Sequence, residues 1–171
     1  ALNVSDEIHD PVGRAVVNNG LGVLSMCVGE SVKARRYFEE SIRASLIVQR
    51  IDTLVNARTN LAELLHCMGN FRKALGLVND TIKYTRDIRH QHGLGVALRY
   101  RSMLLTDVGR YVEAKENAEQ AYNIQAFLNN PQEQLASIVV WIRALLSEGN
   151  WNESQELIEQ GILVSSDYDA E

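Results

Sequence analysis

The sequence predicts an all-α fold, an α-solenoid of four antiparallel helix pairs that takes in residues 1–171 as one array. Three observations carry that prediction. Gly29, Gly69, Gly109 and Gly149 stand 40 residues apart, and a fixed period of this length marks stacked supersecondary units. Each glycine has apolar residues at helical spacing on either side of it, as Leu61, Leu64, Leu65 and Met68 precede Gly69 and Phe71, Ala74, Leu75 and Val78 follow it. Proline occurs only at Pro11 and Pro131, and so long an interval without a helix breaker disfavours a turn-rich β architecture.

Other columns repeat in phase with the glycines. Two residues after each stand Ser31, Phe71, Tyr111 and Trp151; five after, Ala34, Ala74, Ala114 and Ser154; twelve after, Ser41, Thr81, Ala121 and Gly161. The glycine ends a first helix in the left-handed backbone region that costs glycine nothing. Small residues at the later positions let the second helix approach the first, with the aromatic ring plugging the corner between them.

Taken in order, residues 3–12 read as a lead-in or the remnant of an earlier unit. First helices are expected over 14–28, 53–68, 93–108 and 132–148, and second helices over 31–49, 71–88, 111–128 and 151–165. The repeats run over about 14–52, 53–92, 93–131 and 132–166. Polar turns at Arg50-Ile51-Asp52 and Asn129-Asn130-Pro131 separate hairpins, and Asn130 is placed to cap the helix that Pro131 opens.

This constellation resembles the tetratricopeptide repeat. Leu21-Gly22, Gly29, Ala34 and Phe38 match its pattern in the first copy, and Leu61-Ala62, Gly69, Phe71 and Ala74 in the second. The third keeps Gly109, Tyr111, Ala114 and Ala121 but carries Arg101-Ser102 at the leading pair, and the fourth has Trp141-Ile142 at that pair and Ser154 in the alanine column. The resemblance implies a right-handed superhelix whose first helices line a concave groove. The period exceeds the family's usual length of about 34, in the manner of the longer arrays of bacterial signal-dependent transcription regulators.

Counting back from each glycine along the first helices gives the stripe expected to face that groove. Its polar and adaptable members are Asn19, Asn56, Thr59, Glu63, His66, Arg99, Met103 and Arg143, the expected partner-binding residues. Arg99, Arg143 and Glu63 are the charges expected to touch a ligand, because a guanidinium grips a carboxylate or phosphate at two points. Chaperone-docking members of the family hold a C-terminal carboxylate with Asn and basic residues. Asn60 fits that clamp, but Asn19, Val23, Val96 and Tyr100 replace its other members, which argues against it.

A net charge of -5, with the cations scattered, provides no row to neutralise phosphates, so no direct nucleic-acid contact is expected. Nor is a membrane span, since the most apolar stretch, 135–146, falls short of the roughly 20 residues that a bilayer needs. Cys27 and Cys67 occupy equivalent places and are expected as free, semi-buried thiols in a cytoplasmic setting. His90-x-His92 lacks a converging third ligand, and no metal is expected. Trp141 and Trp151 read as core residues.

Without a nucleophile triad, phosphate loop or paired-carboxylate motif, neither catalysis nor a cofactor is expected. The predicted function is a non-catalytic scaffold whose groove binds a partner peptide or helix. The alternative is a ligand-sensing or oligomerisation arm of a bacterial multidomain transcription regulator. Because the sequence begins at Ala1 and its last helical pattern runs almost to the end, a segment of a longer protein is expected. Ile158, Ile162 and Leu163 would then form an exposed apolar end able to support a homodimer.

Overall fold

The computed structural model describes residues 10–169, and all eight elements in that range are α-helices. They are α1 (Pro11–Cys27), α2 (Ser31–Ile47), α3 (Ile51–Cys67), α4 (Phe71–Asp87), α5 (Gln91–Asp107), α6 (Tyr111–Phe127), α7 (Pro131–Glu148) and α8 (Trp151–Asp169). The helices from α1 to α6 are each 17 residues long, or about 25 Å at the α-helical rise. Two such helices and two short turns fill the 40-residue period. The extra length over a standard repeat therefore lies in the helices, with the turns kept tight.

All seven turns share one backbone device. A residue in the left-handed region sits at Gly29, Gln49, Gly69, Arg89, Gly109, Asn129 and Gly149, with φ between 51° and 89°. The next residue's N–H then reaches back to the carbonyl five positions earlier, as Glu30 does to Ser25 at 2.8 Å, Arg50 to Ser45 at 3.0 Å and Arg110 to Leu105 at 3.0 Å. This bond closes the helix and satisfies a carbonyl that would otherwise lack an intrahelical donor. Hairpin turns and inter-hairpin turns are thus alike, and only the former carry glycine. The second set of turns corrects one expectation: Ile51 and Asp52 belong to α3, and the turn before it is Val48-Gln49-Arg50. Asn130 does cap α7, accepting from the Glu133 N–H at 3.3 Å. Pro11 and Val12, expected in a lead-in, begin α1 under an Asp10 cap that accepts from Val12 and Gly13. Residues 3–9 of that lead-in lie outside the described range.

The chain divides into two compact units, Ala1–Thr81 and Ile82–Glu171. In the first, α1 packs on α2 and α3, and α2 on α3. Ala34, Phe38, Leu61 and Leu64 form its buried cluster, with Val23, Met26 and Leu65 against it. Gly22 admits the Phe38 ring: a Cβ there would fall 2.5 Å from the ring carbons. The Ser41 hydroxyl donates to the Ala15 carbonyl at 2.7 Å, tying α2 to α1 where the small column predicts close approach.

In the second unit α5 packs on α6 and α7, α6 on α7, and α7 on α8. Leu98, Leu104, Leu105, Ala114, Ala118 and Leu145 are buried there. Gln125, fully buried, donates from Nε2 to the His92 carbonyl at 3.2 Å. Gly95 makes room for that amide, since a Cβ would stand 2.5 Å from it. Pairing between sequence neighbours and between alternate helices is the pattern of stacked hairpins, and the architecture is a tetratricopeptide-like α-solenoid of antiparallel helix pairs.

Candidate functional site

First helices lie side by side within each unit, α1 beside α3 and α5 beside α7, so residues of the predicted stripe are neighbours in space as well as in phase. On α1 and α3 the half-buried Asn19 accepts a 3.1 Å bond from Asn60 Nδ2. Asn56 is exposed, while Glu63 and His66 are half-buried. The His66 ring meets Phe71 edge-on, with centroids 6.0 Å apart. Thr59 is fully buried, and its hydroxyl donates back to the carbonyls of Val55 and Asn56 at 3.0 Å. A β-branched hydroxyl that finds an acceptor in its own helix can be buried at little cost, which places Thr59 beneath this surface.

On α5 and α7 the stripe is charged and internally paired. Arg99 Nη2 lies 3.3 Å from Glu133 Oε2, and Arg143 pairs with Asp107, so two ion pairs of opposite direction bind the two helices together. The Arg99 guanidinium also lies 4.9 Å from the centre of the Tyr100 ring. Met103 is half-buried on the same helix. Arg99 and Arg143, expected to touch a ligand, thus each already face an acid, which a ligand carboxylate would have to displace. Sequence reasoning missed this because the pairing is between helices and no intrahelical spacing announces it.

Several other sequence expectations land elsewhere. Cys27 and Cys67 are free but exposed; as the last residues of α1 and α3 they adjoin the exposed turns that follow. Trp151 is 68% exposed, so at the fourth turn the aromatic column does not plug the corner. Trp141 is half-buried, with its ring centroid 6.5 Å from that of Tyr122. His90 Nδ1 accepts from the Gly93 N–H at 3.1 Å, acting as the cap of α5. Among the described residues no group of three or more His, Cys, Asp or Glu is placed to hold a metal, and no helix is long and apolar enough to cross a membrane.

No family model matches the sequence, and no curated protein matches it. Solved structures are similar in fold. A Rap protein complexed with competence and sporulation factor superposes with a TM-score of 0.82 at 15% identity, over 95% of this chain and 45% of that one. BtubC (BKLC) from P. vanneervenii gives 0.73 at 14% identity, over 98% of this chain and 70% of that one. The tetratricopeptide-like repeats of a kinesin light chain from Podosopora anserina give 0.70 at 19% identity, covering 94% and 78%. The apo form of RapI gives 0.76 at 11% identity, and this chain spans 60% of its length.

Proposed function

We propose, with the tetratricopeptide-like array as premise, that this chain is a non-catalytic protein-interaction scaffold that receives a peptide or helix of a partner on its first-helix surfaces. The observation that carries this reading is the side-by-side packing of α1 with α3, which leaves Asn56, Glu63 and His66 together at the surface as polar contacts. On the second unit, taken by itself, Met103 is an adaptable apolar contact on α5. Stacked hairpins supply such surfaces at low cost in stability, because each unit brings its own interface. The neighbour solved in complex with competence and sporulation factor supports the reading, as a protein that contains an array of this fold and forms a complex. Arg99 and Arg143 then act mainly by holding α5 against α7, and contact with the partner falls to the less constrained groups.

The test is capture from the chain's own cell extract, using Asn56→Ala/Glu63→Ala and Arg99→Ala/Arg143→Ala variants beside a Lys73→Glu/Glu119→Lys control on second helices. A polypeptide retained by the wild type and the control but lost from the first pair supports the surface on α3. Equal retention by all the variants removes it.

A second reading, a ligand-sensing or oligomerisation arm of a bacterial transcription regulator, draws on the α8 surface. Ile158, Ile162 and Leu163 are 46%, 62% and 64% exposed. Self-association through that face should respond to Ile162→Glu in a sedimentation experiment, and a monomer at high concentration speaks against it.

A further inference from the structure

We propose that a cleft between α7 and α8 is a binding site for an arginine side chain of a partner polypeptide. Trp141, Glu153, Glu156, Leu157 and Gln160 line it, and it holds about 210 Å³. That is below the range of pockets for drug-sized ligands and suits one long side chain. The four α8 residues follow i, i+3, i+4, i+7 spacing, so they share one helix face. Gln160 is fixed by donating to the Tyr122 hydroxyl at 2.7 Å.

The preceding repeat shows which charge this place is built for. Forty residues earlier, Glu113 and Glu116 correspond to Glu153 and Glu156. There two arginines stand along the same helix face, one of them paired with an acid and the other with the amide of Asn117. Arg101, in the column of Trp141, donates to Asn117 at 3.2 Å, and Arg110, in the column of Asn150, pairs with Glu113 at 2.5 Å. In the fourth repeat both acids are retained and both cations are replaced by neutral groups. Asn150 Nδ2 donates to Glu153 at 2.6 Å, and no described cation pairs with Glu156. What remains is an indole beside two carboxylates without a counter-charge, the arrangement that attracts a guanidinium through its face and its donors together. A guanidinium on a flexible aliphatic stem fills the cleft against Trp141 and Leu157 while its charge meets the carboxylates, which favours an arginine side chain over a bare cation. This site lies on the α7–α8 seam and does not depend on the first-helix reading.

The test titrates N-acetyl-arginine methylamide into the whole chain while following the Trp141 indole resonance, with Trp151 as internal reference. N-acetyl-citrulline methylamide is the neutral isostere. A saturable shift of Trp141 is expected in the millimolar range, about fivefold weaker for citrulline and similarly weakened by Glu153→Gln/Glu156→Gln. Raising salt from about 50 mM to about 500 mM should weaken it too, a readout that needs no variant. Equal response to arginine and citrulline, or no response to salt, overturns the proposal. Its failure would leave the capture result on Asn56 and Glu63 untouched.

Discussion

Arg99 and Glu133 stand 3.3 Å apart across α5 and α7, close enough for an ion pair, yet they are not aligned as a hydrogen bond. Arg99 Nε and Glu133 Oε2 are both buried atoms that lack a hydrogen-bond partner. The side chains are 20% and 26% exposed, so solvent still screens the pair. A double-mutant cycle between Arg99→Ala and Glu133→Ala should give a coupling of about 0.5–1 kcal/mol, measured by urea unfolding. A coupling near zero would make the contact incidental to the packing of α5 on α7.

Gly22 and Phe38 are matched in size. Alanine in a helix interior is ordinarily favoured over glycine by about 1 kcal/mol, but here the new methyl would strike a fully buried ring. Overpacking of about 1–3 kcal/mol outweighs the propensity gain. Gly22→Ala should therefore lower stability by about 1–2 kcal/mol, and the loss should shrink or reverse on a Phe38→Leu background. The same destabilisation on both backgrounds would locate the effect elsewhere.

Arg89 and Gln49 occupy left-handed backbone at φ 55° and 54°. Glycine pays no Cβ penalty there, and the cost for other residues is about 1–2 kcal/mol. Arg89→Gly should stabilise by about 0.5–1 kcal/mol after the greater flexibility of unfolded glycine is subtracted, whereas Gly69→Ala should destabilise by about 1 kcal/mol. Thermal melts of the two variants should move in opposite directions.

Gln125 is fully buried, and its amide spans the start of α5. Gln125→Leu keeps the volume but removes the donor to the His92 carbonyl, at an expected cost of about 1–3 kcal/mol. Hydrogen exchange at the N-terminal turn of α5 should accelerate in the variant. Unchanged exchange there would show that the amide does not anchor this turn.

Helix count, hairpin turns and the small buried columns are all legible in the sequence, because one repeated physical requirement, close approach of two helices around a left-handed residue, leaves a 40-residue mark. The inter-hairpin turns are less so: Gln49 and Arg89 adopt the same backbone as the glycines with no compositional sign, and only Asn129 is of a type that tolerates it readily. At the candidate site, the phase of Asn56, Glu63 and Met103 is readable from helical spacing. The engagement of Arg99 by Glu133 and of Arg143 by Asp107 is not, since it depends on which side chains meet between helices. Trp151 and the two cysteines show the same gap, as repeat-equivalent residues whose burial depends on what packs beside them.

The most direct test of the scaffold reading is the affinity of the captured partner for the Asn56→Ala/Glu63→Ala variant beside the Lys73→Glu/Glu119→Lys control, with helix content checked in both. The reading predicts a loss of about tenfold or more in the first and little change in the second, in line with a few surface contacts carrying most of the binding energy. A partner that binds the α3 variant as tightly as the wild type, or that is lost only from the control, would contradict it.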